Sequence, residues 1–205
     1  MLRKVTLVGI LACGVASAGV SQTIGTPVYM APYRAFNSME MGGMISDPGK
    51  AIALEGSYRY GYRKFDIGVR AGIISVDGPD GGDIATENEV SLLVGADVRF
   101  RVIEHTEDFP FDGSFTAGVG GALGDISQAY LPVGLSLGRR IELEGGVSFV
   151  PYVHPVLVPT FGDSDDVLVA LGLGVDVKVS RALDIRLSGG VGDIEGISIG
   201  ISWIK

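Results

Sequence analysis

The sequence predicts an all-β chain that closes into an up-and-down antiparallel transmembrane β-barrel of about ten strands, with eight strands the next choice. Three observations predict it. Apolar and polar residues alternate with period two along most of the chain. Hydrophobic residues make up 46% of the 205 and the mean hydropathy is +0.37, yet charged or glycine-interrupted segments break up everything after the N-terminus, so no helix-length apolar run of about 18 residues is available to cross a bilayer. The first residues form an export leader.

The leader has a basic start (Arg3-Lys4), an apolar stretch from Val5 to Ala12, and a small-residue cleavage site, Ala16-Ser17-Ala18. Residues 1–18 are therefore expected to be removed, residues 19–32 form an N-terminal lead, and residues 33–205 form the barrel. A rival reading takes Ile10-Leu11-Ala12-Cys13 as a lipidation motif with Cys13 as the modified residue. Under the first reading the exported chain has no cysteine, and disulfide or thiol chemistry is excluded. The chain carries 16 basic and 24 acidic residues, net −8, and loss of Arg3 and Lys4 leaves 14 against 24, net −10. That balance argues against nucleic acid as a partner.

The strands follow from the alternation. Val167, Val169, Leu171, Leu173, Val175, Val177 and Val179 share one face while Gly172, Gly174, Asp176 and Lys178 share the other. Ile185, Leu187 and Val191 oppose Asp184, Arg186, Ser188 and Gly190; Ile197, Ile199, Ile201 and Trp203 oppose Ser198, Gly200 and Ser202. The same rule holds for Val90 to Phe100 and for Ile67 to Ile73. The predicted strands are 33–45, 51–62, 65–76, 89–102, 113–124, 130–138, 141–152, 167–179, 184–192 and 195–204. An even number places both termini at the periplasmic side. Periplasmic turns then fall at Arg63-Lys64, 103–112, Arg139-Arg140 and Ser180–Leu183, and the longest outward loops at 77–88 and 153–166. Tyr33, Tyr62, Phe65, Phe100, Phe115 and Trp203 fall at periplasmic strand ends and are expected to form an interfacial girdle; Phe149 is placed in the opposite one, with Tyr130 and Tyr152 out of phase.

On the leader, the alternating strands and the final strand Gly196-Ile197-Ser198-Ile199-Gly200-Ile201-Ser202-Trp203, residues 33 to 205 resemble the small bacterial outer-membrane barrels of the OmpA and OmpX kind. The resemblance implies residence in the bacterial outer membrane after export, with outer-membrane lipid, lipopolysaccharide and the outer-membrane assembly machinery as partners. A secreted soluble β-sandwich binding protein alternates in the same way, but its strands are shorter and its outward face is the polar one.

With the polar face inward, the lumen collects Arg34, Arg59, Arg70, Arg99, Arg101, Lys178 and Arg186 with Glu40, Glu55, Asp66, Asp97, Glu142, Glu144, Asp176 and Asp184. Near balance predicts internal pairing. Most of these charges fall toward the periplasmic end. The other half is lined by Gly120, Gly172, Gly190, Gly192 and Ser198 with apolar Met44, Ile74, Leu93 and Leu168. The expectation is a barrel plugged by charges at one end, with a small vestibule open to the outside, serving a structural or small-solute transport role. The alternative is a surface enzyme hydrolysing lipid or peptide, built on His154 with Asp163, Asp165 and Asp166 or with Ser164 as nucleophile. An incidental histidine beside an acidic loop explains those residues more simply, and no enzyme is predicted. Two histidines without clustered ligands argue against a transition-metal site; Asp77, Asp80 and Asp83 offer oxygen ligands for weak calcium binding but lack the spacing of a defined calcium loop. No cofactor motif is present.

Overall fold

The computed structural model describes residues 20–21, 24, 28–33, 38–47, 51–76, 89–124, 127–143, 146–163 and 165–205. The leader, Arg34, Glu144 and the aspartates of 77–88 lie outside these residues. The described strands are β1 (Val20–Ser21), β2 (Met39–Asp47), β3 (Ala51–Tyr62), β4 (Phe65–Val76), β5 (Glu89–Ile103), β6 (Asp112–Gly124), β7 (Gln128–Tyr130), β8 (Val133–Gly138), β9 (Ile141–Glu142), β10 (Ser148–Gly162), β11 (Asp166–Lys178), β12 (Leu183–Gly192) and β13 (Ile194–Ile204). No described residue is helical.

Strands pair with their chain neighbours, and β13 pairs antiparallel with β2 to close the barrel. The closing ladder runs from Ile197 opposite Asp47 to Ile204 opposite Glu40, and Lys205 and Met39 extend it by bonding each other's backbones at 2.8 and 3.2 Å. β7, β8 and β9 are pieces of one stave, because all three keep a single register against β10. Counting them as one gives a closed antiparallel barrel of ten staves.

Alternation sets which side of each stave faces lipid. In β10 the even positions from Ser148 to Thr160 are buried, and the odd positions from Pro151 to Phe161 are exposed or half-buried. Ile52, Ile197, Leu123 and Val169 are among the many large apolar side chains left on the outer surface, an arrangement stable only where hydrocarbon replaces water. One end of the barrel carries the connections 63–64, 104–111, 143–147 and 179–182, together with the start of β2; we call it the turn end. The loop end is where β2, β4, β6, β10 and β12 finish and β3, β5, β7, β11 and β13 begin.

The structure corrects the predicted strands in three places. The first barrel strand starts at Met39 and not at residue 33. The sixth stave runs from Gln128 to Glu142 and turns at 143–147 instead of at Arg139-Arg140. The seventh strand continues to Gly162, so the long loop predicted over 153–166 is mostly strand. Both faces of Ser148–Gly162 are apolar and three prolines interrupt it, which hides the period-two signal.

Candidate functional site in the barrel lumen

The turn-end half of the lumen is held by ion pairs projecting from neighbouring staves. Because lumen-facing positions recur every second residue, Arg59 on β3, Asp66 on β4 and Asp97 and Arg99 on β5 converge on one level. Arg59 forms close ion pairs with both Asp66 and Asp97. Arg99, with no solvent exposure, donates to Asp66 Oδ2 through Nε at 2.9 Å and Nη2 at 2.6 Å. Gly68 keeps this level open: a Cβ there would stand 2.5 Å from Arg59 Nη2. Two guanidinium and two carboxylate groups balance, which is the condition for keeping charges away from water.

Other predicted charges pair in smaller groups. Arg70 bonds Glu55 at 3.0 Å; Arg186 lies 2.5 Å from Glu40 and 3.5 Å from Asp176. Arg101 contacts Asp112 at 2.5 Å, and His105 approaches the same carboxylate at 3.1 Å. Asp112 joins this set as the first residue of β6, although the sequence places it in the 103–112 connection. Lys178 and Asp184 stand opposite each other in register, whereas Glu142 is exposed at the turn end.

The sequence reading misses the main occupant of the lumen. Ile24 and Val28 to Tyr33 are buried inside the barrel. Val20–Ser21 run parallel to Ile194–Glu195 at the loop end, and β2 starts at the turn end, so this segment crosses the lumen from one end to the other. Each residue from 29 to 33 has a seat. The Tyr29 hydroxyl donates to the Ile194 carbonyl at 2.7 Å, and its ring fills the space that side chains at Gly172 and Gly190 would need. The Met30 amide donates to His154 Nδ1 at 3.1 Å, and the Met30 carbonyl accepts from Ser136 Oγ at 2.5 Å. The Ala31 carbonyl accepts from Arg99 Nη1 at 2.5 Å, and the Pro32 carbonyl accepts from Ser114 Oγ. The Tyr33 ring lies between the guanidinium groups of Arg101 and Arg140, 5.5 and 5.1 Å from its centre. Above these seats Ile24 and Val28 join Val150, Val156, Val158, Ala170 and Ile194 in an apolar cluster.

This occupant changes several expectations. Tyr33 stands in the lumen and not in the lipid-facing girdle, because it belongs to the threaded segment and precedes the first strand. Tyr62, Phe65, Phe100, Phe115 and Trp203 are exposed on the outer surface at the turn end. Tyr130 and Tyr152 are out of phase because they too point inward, and Phe149 pairs with Ile141 near the turn end. The vestibule expected between Gly172 and Gly190 is filled by Tyr29, and the loop-end wall of β3 to β6 packs Ala53, Ile74, Leu93 and Ala122 together.

His154 is wholly buried rather than placed at the rim. It accepts from Met30 through Nδ1, so in the neutral ring Nε2–H donates to Thr116 Oγ1 at 2.8 Å. Asp163, Asp165 and Asp166 instead accept backbone amides of Ser127, Gly162 and Val167 around the loop-end turn. Thr160 pairs with Asp166, so His154 lies six residues further along the strand, about 20 Å away at 3.3 Å per residue. The His/Asp pair needed for water activation is not assembled there. Among the described residues, no group of three or more His, Cys, Asp or Glu side chains is arranged to hold a metal ion.

No family model matches the chain, and no curated protein matches it. Solved structures do. The β domain of the Bordetella autotransporter BrkA is similar with a TM-score of 0.51 at 16% identity, covering 82% of this chain and 98% of that one. A de novo designed transmembrane β-barrel gives a TM-score of 0.40 at 11% identity, over 84% of this chain and 98% of that one. The first likeness is one of fold, a closed antiparallel barrel.

Proposed function

We propose that this chain is a bacterial outer-membrane barrel with a structural role, exported by its leader and sealed in its resting state by its own N-terminal segment. The observation that carries the reading is the continuous set of seats for residues 29–33, supplied by five different barrel strands. The turn end faces the periplasm, because β2 starts there and β13 ends there and an even number of staves puts both on the periplasmic side, and the loop end faces outward. Outer-membrane lipid and lipopolysaccharide contact the apolar belt, and the assembly machinery inserts the chain.

A sealed barrel cannot work as a passive pore while the segment is seated. Ten staves already enclose far less space than the about 16–18 of an aqueous porin, and the segment with the Arg59–Asp66–Asp97–Arg99 lattice occupies the turn-end half. Small-solute passage therefore requires the segment to leave. Planar-bilayer recording tests this: the full chain is expected to give a quiet baseline, and Gly172→Val, which denies Tyr29 its slot, is expected to give intermittent conductance. Steady conductance of the parent at the level of a large porin would overturn the reading.

A further inference from the structure

One ladder of the barrel is chemically unlike the rest. The stave formed by β7, β8 and β9 faces β10 with Tyr130 opposite Thr160, Val133 opposite Leu157, Leu137 opposite Val153 and Ile141 opposite Phe149. The Leu131 amide donates to the Pro159 carbonyl at 3.0 Å, so the odd-numbered residues of β10 aim their backbone groups at this stave. Pro151, Pro155 and Pro159 are all odd-numbered. Carried along the register, they face Arg139, Leu135 and Leu131, whose carbonyls receive no amide hydrogen from proline. Pro132 repeats the pattern on the stave's other edge. It accepts from the Gly118 amide at 2.9 Å and has no hydrogen to return. The stave loses regular strand structure at 131–132 and 139–140.

At bilayer depth a strand is held by having its backbone groups bonded to its neighbours, so a stave short of donors on both edges is the first to yield. The seam is apolar on its outer side, where Leu135, Val153 and Leu157 face lipid, and toward the loop end also on its lumenal side, where Val156 and Val158 lie beyond the polar His154 and Ser136 that hold Met30. That lumenal slot already receives the apolar side chains of Ile24 and Val28. At the turn end of the seam Arg139 and Arg140 are exposed at headgroup level, with Glu142 beyond them.

We propose that this stave parts from β10 and admits one acyl chain of an anionic membrane lipid into the slot held by Ile24 and Val28, with the headgroup on Arg139 and Arg140. The lumen is then loaded sideways from the bilayer and not through its ends. The inference rests on the transmembrane placement proposed above but not on the sealing of the ends, which conductance measures separately.

The test uses the full chain with its one tryptophan replaced, Trp203→Phe, and a lumenal reporter installed by Tyr130→Trp, in vesicles of phosphatidylglycerol with brominated acyl chains. The reporter is expected to be quenched. The quenching is expected to be lost when Leu137→Cys and Val153→Cys, on a Cys13→Ser background, are oxidised across the seam, and to return on reduction. A second variant, combining Pro151→Thr, Pro155→Thr and Pro159→Thr, restores the missing donors and is expected to lose quenching without any disulfide. Equal quenching in parent, locked and Thr variants would place the lipid outside the wall and overturn the proposal. Equal quenching by brominated phosphatidylcholine would overturn the anionic headgroup.

Discussion

The ring of Tyr29 occupies the place where a side chain on Gly172 would stand, so the seat of the N-terminal segment is cut into the barrel wall by the absence of a β-carbon. Gly172→Ala is therefore expected to displace the ring and to destabilise the protein by about 1–3 kcal/mol, the usual cost of overpacking. In a Tyr29→Ala background the same change should cost little. The temperature at which the folded form loses its distinct gel mobility reads both, and a coupling near zero would mean that Tyr29 does not sit there.

Asp66 joins Arg59 and Arg99 through one carboxylate in a buried lattice. Asp66→Ala removes the anion from between two guanidinium groups and is expected to cost about 3–5 kcal/mol, the penalty for breaking a buried pair from one side. Urea unfolding in lipid vesicles checks this. A loss below about 1 kcal/mol would show that water reaches the cluster and screens it as it does surface pairs.

How much of this was legible in the sequence depended on how cleanly each segment alternates. Val167–Lys178 and Glu89–Ile103 bury one polar face and expose one apolar face, so their strands and inward charges could be read directly. Ser148–Gly162 is apolar on both faces because its lumenal side packs on the threaded segment, and no periodicity separates such a strand from a loop with prolines. The seats themselves left only a weak trace. Ser114, Thr116 and Ser136 are small polar residues on a lumenal face, and Gly172 and Gly190 looked like empty lining because the residue that fills them lies more than a hundred positions earlier. Alternation alone places Arg59, Asp66, Asp97 and Arg99 in the lumen, but their grouping requires the register.

His154 is expected to act as a fastener for the segment and to have no part in hydrolysis. His154→Ala removes the partner of the Met30 amide and of the Thr116 hydroxyl, at a cost of about 1–3 kcal/mol for the groups left buried. A cysteine at position 31, fully buried in the parent, should then react with a water-soluble thiol reagent much faster than before, while lipid and peptide hydrolysis at the cell surface stays unchanged. Loss of a surface hydrolase activity in His154→Ala would restore the enzyme alternative.

Trp203 gives the position of the wall in the membrane without any substitution, because the chain has one tryptophan and it is 57% exposed on the outer surface at the turn end. Its emission is expected to be quenched by brominated lipid and largely shielded from acrylamide. The reverse pattern would put this surface in water and contradict the transmembrane placement.

The seating of the segment can be tested directly by pairing cysteines at positions 32 and 114 on a Cys13→Ser background. The Ser114 hydroxyl donates to the Pro32 carbonyl, so mild oxidation of the folded protein is expected to link the two positions. A control pair at 32 and 202, with Ser202 on β13 across the barrel from β6, should remain unlinked. Rapid linkage of 32–114 alone would establish the threaded barrel; failure of that linkage, or equal linkage of both pairs, would contradict it.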